Sequence, residues 1–70
     1  MIFMQIREGT KVKSRKNFRW VHKGQACRAD VGAPGTVIQD SANCEVYVEW
    51  DCASAKGIII VDVADVDVIL

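Results

Sequence analysis

The clearest regularity in the chain is alternation. From Cys44 to Trp50, residues Cys44, Val46, Val48 and Trp50 fall on one side and Glu45, Tyr47 and Glu49 on the other. That is the period-2 pattern of a half-buried β-strand, with the first set facing the core. Lys11-Val12-Lys13 repeats it with Val12 inward, and Ile2, Met4 and Ile6 alternate with Phe3, Gln5 and Arg7 in an additional N-terminal strand over residues 1–8. Ala33-Pro34-Gly35 turns the chain into a strand at Thr36-Val37-Ile38-Gln39, and Asp40-Ser41-Ala42-Asn43 has the composition of a turn. A connection from Asp51 to Gly57 leads to Ile58–Val61, which is apolar on both faces and so calls for a central strand or a covered outer face. Asp62-Val63-Ala64-Asp65 suits a single 3₁₀ turn, and Val66–Leu70 closes the series as a last strand. Residues 14–33 are polar and basic with Phe18, Trp20 and Val21 scattered among them, which predicts a long ordered loop of the kind that carries function in small domains. The expected core is Val12, Val37, Val46, Val48 and Trp50, with Ile58 and Ile60 on the same side.

Composition supports the same class. Ten valines and seven isoleucines in 70 residues favour pleated surfaces over helices. No window carries apolar residues at i, i+3, i+4 and i+7 over three turns. One domain, residues 1–70, is expected at this length. The apolar fraction of 50% excludes a disordered composition, and no apolar run approaches the ~20 residues of a membrane span. Arg7 and Glu8 interrupt the apolar start before a signal-peptide core forms, and three cysteines leave one unpaired in any disulfide scheme; a reducing cytoplasm is the expected location. Net charge is zero but unevenly laid out. Residues 1–28 hold eight bases and one acid, and residues 40–70 hold seven acids and one base. Such a division suits an anionic partner, pairing of the two halves within one fold, or head-to-tail self-association.

The order of strand, long loop, strand, short turn, strand, connection, strand, 3₁₀ turn and strand resembles the SH3-like small barrels over residues 9–70. Gly-x-x-Val opening a basic strand, then Gly35-Thr36-Val37, then Val46-x-Val48-x-Trp50-Asp51 recur in that superfamily. The resemblance implies an all-β, SH3-like barrel of five or six strands, with the long loop after the first barrel strand and the 3₁₀ turn before the last. Gly9-Thr10-Lys11-Val12-Lys13, Gly35-Thr36-Val37-Ile38 and Val61-Asp62-Val63-Ala64-Asp65-Val66 are also similar to the plasmid-borne type II dihydrofolate reductase, a homotetramer of such barrels around one pore. Its pore motif, Val-Gln-Ile-Tyr, is not retained: Ile58, Ile59, Ile60 and Val61 stand there, so the resemblance implies association without the reductase activity, and a mobile element or phage as the source.

Candidate chemistry is sparse. Gly32-Ala33-Pro34-Gly35 lacks the Lys-Ser/Thr of a phosphate loop. His22, Cys27, Cys44 and Cys52 include no Cys-x₂-Cys pair and are not expected to hold zinc. A Cys27–His22 nucleophile has no evident orienting group beyond Asp30, and Glu45 and Glu49 stand about 13 Å apart along a strand, too far to act as a pair. No catalysis and no cofactor are expected. The basic-aromatic segment 11–28 is the most informative stretch. Arg15, Lys16, Phe18, Arg19, Trp20 and Lys23 are the expected partner-binding residues, since cations neutralise phosphates and aromatic faces stack on bases or prolines. Tyr47, Ile59 and Val61 are the expected self-association residues. The reading is a small non-catalytic binding module, acting on a protein or peptide or on itself as a homo-oligomer. The alternatives are nucleic-acid binding through residues 11–28, and an oligomeric small-ligand binder related to the type II reductase.

Overall fold

The computed structural model describes residues 5–52 and 54–69. The chain is all-β, as its β-branched composition implies. Among the described residues seven strands run in order: β1 (Lys11–Ser14), β2 (Phe18–His22), β3 (Gln25–Ala29), β4 (Pro34–Ala42), β5 (Glu45–Trp50), β6 (Ile58–Asp62) and β7 (Val66–Val68), with a 3₁₀ turn at Val63–Asp65 before the last. Five of them form an antiparallel sheet in the order β6-β5-β4-β1-β7, and β2 and β3 form a separate two-stranded sheet. The sheet is not closed into the expected barrel of five or six strands. β6 and β7 are its two edges and no register joins them; β7, held to β1, is only three residues long and offers little to pair with.

The segment expected to be a long loop is instead a hairpin. Phe18 pairs with Ala29, Arg19 with Arg28, Trp20 with Cys27, Val21 with Ala26 and His22 with Gln25. Lys23 (φ 50°) and Gly24 (φ 78°) close it as a two-residue turn with both central residues left-handed, the twist that matches two flanking strands. The alternation is real but disguised. The inward side of β3 is made of Cys27 and Ala29, which read as neutral small residues, while outward-facing Val21 reads as core although it is 72% exposed.

The core lies on the inner face of the large sheet. Val12, Val37, Val46 and Val48 are fully buried and Trp50 is 3% exposed, as the alternation of β5 and β1 predicts. Ala29 joins them from the hairpin, and Phe18 and Trp20 pack against the same cluster. Phe18 stacks on Trp50 with ring centroids 5.7 Å apart. Gly35 sits opposite Trp50 in the β4–β5 pairing, where a Cβ would lie 2.8 Å from both the Trp50 ring and Val48. The absent side chain leaves the room that the Trp50 ring and Val48 occupy.

Two face assignments are reversed. Ile58 and Ile60, expected in the core, point outward, at 50% and 51% exposure, whereas Val61 is buried and Ile59 packs against the core. The cause is register: Val46 faces Val61 and Val48 faces Ile59, and cross-strand partners share a face. Cys44, expected on the core side of β5, is exposed. With Asn43 it forms the β4–β5 turn (φ 53° and 64°), two residues later than the predicted Asp40–Asn43 turn. Irregularities between Val37 and Gln39, and between Gln39 and Ala42, take up the extra length and keep β4 in the sheet to Ala42.

The 3₁₀ turn lies where Asp62–Asp65 places it: the Asp62 carboxylate accepts from the Ala64 amide at 2.8 Å, capping the turn. Ile2 and Met4 of the expected N-terminal strand lie outside the described residues. Residues 5–8 are not in a strand, yet Ile6 is 5% exposed, and its carbonyl accepts from the Ser41 amide at 2.8 Å.

Candidate functional site

The hairpin carries most of the expected partner-binding residues, and its pairing divides them between two faces. Phe18, Trp20 and His22 face the body. The Trp20 indole N–H donates to the Lys56 carbonyl at 2.8 Å, and the His22 ring lies so close to Gly57 that a Cβ there would come within 2.5 Å of Nδ1. β3 is tied to the same connection: the Arg28 amide donates to the Ser54 carbonyl at 2.9 Å, and the Ser54 hydroxyl donates to the Arg28 carbonyl at 3.2 Å. The aromatic pair therefore ties the hairpin to the body.

The opposite face of the hairpin is basic. Arg19 and Arg28 stand directly across from each other, flanked by exposed Val21 and Ala26, with Lys23 in the turn. Like charges in directly opposed positions destabilise a strand pair. Arg28 has a loose ion pair with Asp30, 3.6 Å between Nε and Oδ2; Arg19 and Lys23 have no ion-pair partner among the described residues. A depression of about 580 Å³ lies beside the hairpin, lined by Arg19, Val21, Ala26 and Arg28 of this face and by Trp20, Cys27 and Ser54 of the body side. Arg28 is not among the six expected partner-binding residues, although it ends the 11–28 segment expected for nucleic acid. The signal was the two-residue turn at Lys23-Gly24, which sets position 19 opposite position 28.

Arg15 and Lys16 belong elsewhere. Arg15 pairs with Asp67 at 3.8 Å and Lys16 with Asp65 at 3.0 Å, and the Lys16 ammonium also lies 5.3 Å from the centre of the Phe18 ring. Here the basic first half and the acidic second half of the chain meet, at the junction of β1, the 3₁₀ turn and β7.

The second surface is the outer face of the large sheet at the β6 edge. Tyr47 is half-buried beside Ile60, its cross-strand partner, and Ile58 lies beside Glu49. The exposed apolar group is thus Tyr47, Ile58 and Ile60; of the expected set Tyr47, Ile59 and Val61, only Tyr47 is on this face. The two sheet edges differ. β7 is three residues long and carries Asp67, while β6 is five residues long with four consecutive aliphatic residues and a charge only at its end, Asp62. Short length and charge are the usual guards of an edge strand, and β6 has neither along Ile58–Val61.

His22, Cys27, Cys44 and Cys52 do not form a cluster: Cys27 is buried in the hairpin, Cys44 is in the β4–β5 turn, and among the described residues no three His, Cys, Asp or Glu side chains converge. No helix among the described residues is long and apolar enough to cross a membrane. Comparison of the chain with protein-family models, with curated proteins and with solved structures returns no match.

Proposed function

We propose that the chain is a small, non-catalytic, SH3-like interaction module whose first partner is a second copy of itself, joined edge to edge along β6. The element order supports the SH3-like reading: a strand, a long excursion, three strands linked in succession, a 3₁₀ turn and a closing strand. The observation that carries the association is the unguarded edge. Ile58–Val61 presents main-chain groups that no other strand pairs among the described residues, bordered by two half-exposed isoleucines, and a strand of that kind is a template for another strand.

Sequence symmetry names the occupant. An antiparallel two-fold centred on Ile59 sets Ile58 of one copy opposite Ile60 of the other and leaves Asp62 beyond the overlap. Apolar residues then meet apolar residues on the outer face, next to Tyr47 from each copy, and a C2 contact of this type closes on itself. Sedimentation velocity on the full chain tests the reading. The expected result is a dimer at tens of micromolar that becomes a monomer in Ile60→Lys, with unchanged circular dichroism because Ile60 contributes little to the monomer core. A wild-type monomer at those concentrations defeats it.

A further inference from the structure

We infer that the β2–β3 hairpin is a basic ribbon that docks on the backbone of double-stranded DNA, a function separate from association along β6. The first argument is charge placement. Phe18–Ala29 holds Arg19, Lys23 and Arg28 and no acid, while the remainder of the chain holds six bases and nine acids. A polyanion is therefore attracted to the ribbon and repelled by the body, so that a molecule with zero net charge still has one oriented contact surface. Secondly, Arg19 and Arg28 are held face to face, and Asp30 reaches only Arg28, at 3.6 Å, so the repulsion is relieved further by an anion that also meets Arg19.

The kind of nucleic acid follows from the aromatics. Binding of single strands relies on aromatic faces that stack bases. Here Phe18 is stacked on Trp50, and Trp20 is half-buried against the core with its N–H bonded to Lys56, only bordering the depression beside the arginines, so neither stands out from the ribbon's outward face as a stacking platform. What remains outward is cationic side chains on a two-stranded ribbon, a shape the major groove of B-form DNA admits and the deep, narrow major groove of duplex RNA does not. Val21 and Ala26, the next opposed pair on this face toward the turn, have short side chains and keep the ribbon face thin.

The test is fluorescence anisotropy of the full chain with a labelled DNA duplex of arbitrary sequence, beside a duplex RNA and a single strand of equal length. Three phosphate contacts per chain give a log–log salt slope of about −2.7, so affinity should fall about 40-fold between about 50 and 200 mM salt. Arg19→Gln with Arg28→Gln should weaken binding at least tenfold, whereas Lys13→Gln, an exposed cation on the outer face of the large sheet, should change it less than twofold. Arg19→Lys with Arg28→Lys should keep most of the affinity, which separates lost charge from lost folding. Three results would overturn the proposal: no binding at about 50 mM salt, equal loss with Lys13→Gln, or tighter binding of the RNA or single strand than of the DNA duplex. Displacement of the DNA by polyglutamate at equal charge concentration would assign the ribbon to acidic proteins and also overturn it.

Discussion

Gly35 is the residue on which the packing of the core turns. It stands opposite Trp50 with no room for a methyl group, so Gly35→Ala forces either the indole or strand β5 to shift. The expected loss is about 1–3 kcal/mol, the usual range for overpacking, read by urea denaturation. Val48 is the converse case. It is fully buried, and Val48→Ala removes contacts without relief, at roughly 2–3 kcal/mol. Trp20 separates two roles that a sequence leaves joined. Its indole is packed and hydrogen-bonded, so Trp20→Ala should lower stability by about 2 kcal/mol or more, whereas a ligand anchor would lose binding and keep its melting temperature. The Trp50 indole N–H is buried without a hydrogen-bond partner among the described residues. Since such a group carries a desolvation penalty of about 1–3 kcal/mol, Trp50→Phe should be far milder than Trp50→Ala in the same denaturation experiment.

At the scale of elements, the hairpin shows where the sequence is legible and where it is not. β5 could be read directly because its inward residues are large and its outward ones mostly charged. β2 and β3 obey the same alternation, but with Ala29 and Cys27 inward and Val21 outward, residue type no longer marks the face. Ile58–Val61 fails for a different reason. Four aliphatic residues in a row give no face at all, and only the pairing of Val48 with Ile59 decides it. The candidate surfaces inherit these difficulties: Arg19 and Lys23 were visible as cations, but their separation from Phe18 and Trp20, and the addition of Arg28, depend on the strand pairing. The turn at Lys23-Gly24 is the hinge of that pairing. Gly24 has φ 78° with open space around it, so Gly24→Ala meets no clash and pays only the left-handed backbone penalty, about 1–2 kcal/mol. Faster amide exchange confined to Phe18–Ala29 should report it. The ion pairs of Arg15 and Lys16 with Asp67 and Asp65 are largely exposed and should contribute at most about 1 kcal/mol each.

For the whole molecule, the described residues span 39 × 20 × 19 Å, with one compact core and two outward surfaces of opposite character. The apolar edge at β6 and the basic face of the hairpin use different residues, so variants of one should leave the other intact. If both act together, a dimer carries two ribbons, and its salt dependence should be steeper than that of the monomeric Ile60→Lys variant. In solution β6 is expected to pair with the β6 of a second copy. Hydrogen exchange followed by mass spectrometry at two protein concentrations tests it most directly, because every second amide of an edge strand points away from its own sheet. The outward amides within Ile58–Ile60 are expected to be protected at about 100 μM and to exchange freely at about 1 μM, with β4 and β5 unchanged; half-protection of β6 that is the same at both concentrations would overturn edge pairing.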